Sequence, residues 1–265
     1  MQIIALLLFF NTALASDLVS IAASDSIPPY VMIGHEHESK LKGLQVEIVD
    51  AAFAAVDVKT KWQTMPNNRM IIHFAKDNVD AALNLPDMNR AANSFSSDML
   101  LNYRNCVIGK KSLKETWSAS LKDLKILGFQ SAKAIFSDFF PKNFLENNSN
   151  YNEVPSQKTI AYHAIHGRAD LILSDALVFS YHAQTNWPLQ YKKSELVCLQ
   201  EQQLARHIGF KRKETRDLFN KGLKIIQASG LYDSIHSKYS KLFSHENIFQ
   251  SQAPSVYNQF ANVIY

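Results

Sequence analysis

VDAALNLPDMNRAANSFSSDMLLNYRN, residues 79–105, is the stretch on which the reading of this chain turns. An apolar run from Ala81 to Leu85 ends at Pro86 and a polar loop. An apolar run bounded in this way fits a buried strand. The loop carries a single cation, Arg90. A second apolar run, Met99 to Leu101, leads into Asn102, Tyr103, Arg104 and Asn105, which suggest no element of their own. The stretch therefore predicts a strand, a binding loop and a chain crossover. In open α/β sheets ligands sit beyond the carboxyl ends of strands, so chemistry is expected just after Leu85.

On both sides of this stretch strands alternate with helices. Leu18 to Ala22 predicts a first strand, closed by the turn before Pro28-Pro29-Tyr30, since two prolines cannot continue a central strand. Leu44, Ile48, Val49, Ala52, Phe53 and Val56 recur at helical spacing after Gly43. Val58 to Trp62 alternates as a half-buried strand does, and Pro66 opens a short helix carrying Arg69. Further on come strands at 106–109, 126–129 and 171–173 and helices at 132–140, 157–166 and 176–183, with 143–152 reading as an Asn-rich loop. Residues 205–210 read as a return crossover strand, and 214–228 as a strongly amphipathic helix broken by Gly230. One pattern occurs twice. Residues 75–84 and 165–174 each run from a helix end through a tight turn and an Asp into an apolar strand with a polar end, Asn84 in one and Ser174-Asp175 in the other. Two such α/β units would set two strand-end faces opposite each other.

Composition limits the function. The apolar and charged shares, 46% and 20%, are those of an ordinary globular chain. With a net charge of +4 and no basic run interleaved with aromatics, a nucleic-acid partner is not expected. Ile3 to Phe10 is continuously apolar and Ala13-Leu14-Ala15 has the small-residue form of a cleavage site, so residues 1–15 read as a secretory signal peptide. Cys106 and Cys198 could pair in an exported protein, although two separate buried thiols are the simpler reading. His35-Glu36-His37-Glu38 lies in a flexible loop and lacks the preorganisation of a metal site. No metal or cofactor is expected.

The ordered set of residues carries a resemblance. It comprises Asp25 with Pro28-Pro29-Tyr30, then Gly43-Leu44-Gln45-Val46-Glu47-Ile48-Val49, Asn78-Val79-Asp80-Ala81, Arg90, Phe95-Ser96-Ser97-Asp98, Leu121 to Lys125, Gly167-Arg168-Ala169-Asp170 and Gly230-Leu231-Tyr232. Over residues 18–243 this resembles the family 3 extracellular solute-binding proteins, the amino-acid-type periplasmic receptors of ABC importers. The resemblance implies an α/β, two-lobe, type II periplasmic binding protein, each lobe a mixed sheet flanked by helices, joined by a two-strand hinge. Lobe 1 would hold residues 16–103 and 207–243, lobe 2 residues 104–206, and residues 244–265 a C-terminal extension.

The same resemblance implies the site. Arg90 corresponds to a cation for a ligand carboxylate, Asp175 to a carboxylate for a ligand ammonium, and Asp25 and Tyr30 to the first-strand acid and its aromatic wall. Arg69 is a second candidate cation, and Asn84 a polar strand end. Ser131, at the start of the predicted 132–140 helix, could join backbone N–H groups in holding an anion. Asp175 also stands where a helix N-cap is favoured. Asn89 takes the Arg position if the short loop is aligned differently, and the anion turn lacks its usual glycine. The function implied is capture of a small polar or amino-acid-like solute in the periplasm by a monomer that delivers it to the permease of an ABC transporter, without catalysis. The alternatives are a periplasmic enzyme on this scaffold, such as the cyclohexadienyl dehydratases, or an orphan sensory receptor.

Overall fold

The computed structural model of the protein describes residues 18–24, 27–33, 41–84, 94–119 and 121–243. Two five-stranded sheets organise them. The first is built from β1 (Leu18–Ser24), β2 (Lys59–Met65), β3 (Ala81–Leu83), β4 (Phe95–Ser96) and β10 (Ile208–Phe210), in the order β2-β1-β3-β10-β4. The second is built from β5 (Leu101–Lys110), β6 (Ile126–Phe129), β7 (Tyr151–Val154), β8 (Leu171–Asp175) and β9 (Leu196–Arg206), in the order β7-β6-β8-β5-β9. Both are mixed. β1, β2 and β3 run parallel, β10 antiparallel to β3 and β4; β6, β7 and β8 run parallel, β5 antiparallel to β8 and β9.

Helices cover the sheets because their apolar faces require it. On the first lobe α1 (Leu44–Ala54) packs against α8 (Lys213–Ala228) and α9 (Leu231–Phe243), while α2 (Asn67–Ala75) lies against β1, β2 and β3. On the second lobe come α3 (Ala132–Phe136), α4 (Phe144–Asn147), α5 (Gln157–Ile165), α6 (Ala176–Asn186) and α7 (Pro188–Lys193). The cores follow this division: one cluster centres on Ile21, Phe53, Leu83, Phe210 and Phe219, and two others on Ile108, Ile160 and Phe179 and on Ile126, Phe136 and Leu173. Leu177 and Val178 of α6 belong to the first lobe's cluster, and α6 also touches α9, so the lobes share apolar contact beside the strands that join them.

The joining element is the β5–β9 ribbon, paired from Leu101 with Arg206 to Lys110 with Leu196. Residues 102–105, which suggested no element in the sequence, are the first half of β5. Their polarity fits a ribbon in which Asn102 and Arg104 are partly exposed while Tyr103 and Asn105 are buried. Three further expectations are corrected. The 143–152 loop contains α4 and the start of β7; the 132–140 helix is α3 followed by a 3-10 turn, Ser137–Phe139; and 205–210 is the end of β9 and all of β10 rather than one strand. Cys106 and Cys198 are bonded as a disulfide, not separate thiols, with their Cα atoms 5.5 Å apart across the ribbon. The signal peptide, the HEHE loop and the C-terminal extension fall outside the described residues.

Two constraints in this fold are open to direct tests. A Cβ on Gly222 of α8 would lie 1.8 Å from the carbonyl oxygen of Ala52 in α1, so the two helix backbones meet there. Gly222→Ala should destabilise the protein by about 3 kcal/mol and lower its Tm by roughly 6–12 °C, as differential scanning calorimetry would show. The disulfide spans 92 residues. Its reduction should remove about 2–5 kcal/mol of stability, seen as a lower urea midpoint in dithiothreitol that the Cys106→Ala/Cys198→Ala double variant reproduces.

Candidate functional site

The site is built around the turn after β1 and the start of α1. Gly43 has φ 129°, and a Cβ there would lie 2.3 Å from the carbonyl oxygen of Tyr30, so glycine is required. The close approach lets Leu44 N–H donate to Pro29 O (2.9 Å) and Gln45 N–H to Tyr30 O (3.1 Å). Two of the donors left over at a helix N-terminus are thus met by main-chain carbonyls rather than by a capping side chain. Tyr30 is held against α1 as a result, and Gln45 enters the core.

Gln45 is fully buried and its amide needs partners. Asn84, just beyond β3 with φ 52°, exchanges hydrogen bonds with it: Gln45 Nε2 donates to Asn84 Oδ1 and Asn84 Nδ2 to Gln45 Oε1, both at 3.0 Å. Tyr103 of β5 closes the triangle, its hydroxyl donating to Gln45 Oε1 (3.1 Å) and accepting from Asn84 Nδ2 (3.0 Å). The Tyr103 ring stacks on Tyr30, with centroids 4.2 Å apart, and the Arg206 guanidinium lies 4.3 Å from the Tyr103 ring centre.

Asp175 ends β8 and is the N-cap of α6. Its Oδ1 accepts from Leu177 N and Val178 N, both at 2.9 Å, which is the cap anticipated from sequence. Its Oδ2 accepts from Arg104 N at 2.9 Å. The Tyr30 hydroxyl donates to both oxygens, at 3.2 and 3.1 Å, and so ties the first lobe to the second. Both side chains are buried, 3% and 4% exposed. Burial pushes the Asp175 carboxyl up to about 6, against the pull of these hydrogen bonds, and burial likewise raises the Tyr30 hydroxyl well above its ordinary value.

The structure thus brings together Tyr30, Asn84 and Asp175 from the predicted set. Ser131 is exposed at the start of α3, in the left-handed conformation. The N–H groups read as an anion turn already have an anion of the chain's own: the Glu153 carboxylate accepts from Ser131 N (2.7 Å), Lys133 N (2.9 Å) and the Tyr151 hydroxyl (2.6 Å). Partial burial pushes Glu153 up, but the hydrogen bonds outweigh it and hold the group below its ordinary value. Arg69 is exposed on α2 and makes no hydrogen bond or ion pair with the Tyr30–Asp175 group. Asp25 and Arg90 lie outside the described residues. Gln45, Tyr103, Asn105 and Arg206 were missed. Gln45 was visible as a polar residue on the apolar face of a helix, and the other three are polar residues on the crossover strands. Among the described residues, the cluster of metal-capable groups is Cys106, Cys198 and Glu201, of which the sulfurs are bonded to each other and Glu201 is bound by Arg104 at 2.5 Å.

Two mixed sheets bridged by a two-strand ribbon, with polar residues gathered from strand ends of both, define the two-lobe type II binding-protein architecture. Residues 19–242 match the family model described as bacterial extracellular solute-binding proteins, family 3, and the chain belongs to that family. A search of curated proteins finds no matching relative. Among solved structures the chain is similar to a histidine kinase sensor domain with similarity to periplasmic binding proteins (TM-score 0.65, 14% identity, 84% of this chain and 95% of that one). It is similar to ArtJ, the arginine-, lysine-, histidine-binding protein of Geobacillus stearothermophilus (TM-score 0.63, 15% identity, 87% and 98%). A third is an ancestral amino-acid-binding protein that is a precursor of cyclohexadienyl dehydratase (TM-score 0.61, 16% identity, 86% and 95%). No helix among the described residues is long and apolar enough to cross a membrane.

The raised Asp175 carboxyl has a signed consequence. A carboxyl near 6 in the folded chain and about 3.9 in the unfolded one keeps its proton longer when folded. Its contribution to stability is therefore greatest below about pH 4, falls as pH rises through the 4–6 window and is level above it. Asp175→Asn cannot titrate, so the stability of the natural protein relative to this variant should decline between pH 4 and 6.5 in urea titrations. Parallel pH profiles would refute the raised value.

Proposed function

We propose that this chain is a periplasmic solute-binding protein that captures a small polar or amino-acid-like solute between its lobes and delivers it to the permease of an ABC-type importer. The observation that carries the reading is the meeting, beside the connecting ribbon, of polar groups from both lobes: Tyr30 and Asn84 from the first, Asp175 from the second, with Tyr103 on the ribbon itself. A solute gripped there closes one lobe on the other, and its hydrogen bonds strengthen as water leaves. Membership of an extracellular binding-protein family supports this. The fold is one that amino-acid-binding proteins also use. In this reading residues 1–15 are the signal peptide, lobe 1 comprises 16–103 and 207–243, lobe 2 comprises 104–206, residues 244–265 extend from lobe 1, and the protein acts as a monomer.

Asp175 has a smaller share in direct ligand binding than its sequence position implied, because its oxygens already accept from two backbone groups of α6, one of β5 and the Tyr30 hydroxyl. The same saturation counts against Asp175 as a general acid or base, which must reach its substrate's proton.

The test is mass spectrometry of small molecules released from the purified protein, followed by thermal shift with the compounds found and with the standard amino acids. A binder at a hundred times its Kd should stabilise the fold by about 2.7 kcal/mol, and small-angle X-ray scattering should show a more compact particle with it. Absence of any stabilising solute, or turnover of prephenate or arogenate, would overturn the reading.

A further inference from the structure

Pairing register places four side chains in one band. Leu101 faces Arg206, Tyr103 faces Leu204, and Asn105 faces Gln202 on one side and Asp175 on the other. Residues directly opposite in an antiparallel pair share a face of the sheet, as do residues two apart in a strand. Arg206, Tyr103, Asn105 and Asp175 therefore lie on one face, across β9, β5 and β8, beside the Tyr30–Asp175 contact between the lobes.

The hydrogen bonds of this band do not balance. Gln45, Asn84 and Tyr103 satisfy one another, and Asp175 accepts from four groups. In this band two buried nitrogens have no partner among the described residues: Asn105 Nδ2, on a side chain 1% exposed, and Arg206 Nε. Both are donors, and a buried donor without an acceptor is costly. The shortfall is thus in acceptors. It is a charged shortfall as well, because no carboxylate among the described residues pairs with Arg206, whereas neighbouring Arg104 is bound through Nε and Nη2 to Glu201 at 2.6 and 2.5 Å.

We propose that Arg206, a cation on the connecting ribbon, is an anchor for an acidic group of the solute; this rests on the solute-binding reading above. A carboxylate offers two oxygens and a full negative charge, matching the planar fork of guanidinium donors. The guanidinium is preorganised. It sits over the Tyr103 ring, itself stacked on Tyr30, so its position is held before any acceptor arrives. Arg206 is also partly exposed, so a solute can reach it. The other acceptor-seeking feature of the second lobe, the N–H groups at Ser131 and Lys133, is already met by Glu153.

Calorimetry on the full chain, unfolded and refolded to strip any carried-over molecule, tests this with the standard amino acids, succinate and other mono- and dicarboxylates, 1,4-diaminobutane and glucose. Compounds bearing a carboxylate should bind, and the tightest of them should lose at least tenfold in affinity with Arg206→Gln. Arg206→Lys, which keeps the charge but not the planar fork, should fall between. A variant with lower unliganded Tm but unchanged Kd would show Arg206 to be structural and overturn the proposal. Binding of only the diamine or glucose would overturn it too, leaving solute capture intact. Binding of nothing would remove solute capture and this anchor together. If Arg206→Gln does not fold, Arg206→Lys decides, since an affinity equal to that of the natural protein contradicts the assignment.

Discussion

Removing the Asp175 carboxylate from water is the step to which the arrangement of the two lobes is fitted. A buried charge is tolerated only where hydrogen bonds replace its hydration. Here the replacements come from separate parts of the chain: the first turn of α6, the backbone of β5 at Arg104, and Tyr30 from the other lobe. Each donor is fixed by its own element. The first turn of α6 has N–H groups to spare, β5 is locked in the ladder with β8 and β9, and Tyr30 is held by its backbone contact with Gly43. One carboxylate thus sets the position of α6, the course of the ribbon and the approach of the lobes.

The neighbouring polar groups obey the same rule with different results. Gln45, Asn84 and Tyr103 form a closed triangle in which each buried partner is satisfied, and such networks rigidify what they connect. They join α1, the end of β3 and β5, so the first lobe meets the ribbon through a stiff joint. At Asn105 and Arg206 the accounting stays open among the described residues, and the two flank Tyr103 on the same face of the ribbon. Stiff support next to unsatisfied donors is the condition under which a binding group keeps its geometry before its ligand arrives.

Much of this fold was legible because it is written in short-range patterns. The apolar spacing from Leu44 to Phe53 gave α1 and its buried face, and the repeated turn–Asp–strand units gave β3 and β8. The stretch from Val79 to Asn105 correctly gave strand and crossover, but it concealed that Asn102 to Asn105 continue the strand, since a half-exposed ribbon need not look apolar. Tyr151 to Val154 was hidden for a related reason, as an edge strand with exposed residues. The pairing of Cys106 with Cys198 depends on register across the ribbon, which no local pattern encodes.

The site was less legible, because a role depends on what a side chain already does. Asp175 and Ser131 stand at positions suited to a ligand's ammonium and carboxylate, and sequence can name such positions. It cannot show that Tyr30 and α6 have taken up the acceptors of Asp175, or that Glu153, 22 residues from Ser131, has taken up the donors of the turn. Once those internal partners are subtracted, the buried donors near the site that lack a partner among the described residues lie in residues that carry no motif. Asn105 and Arg206 are unremarkable in sequence, and only their burial and their neighbours single them out. A polar group that is buried and left without a partner in the chain is the one that gains most from a solute able to supply it.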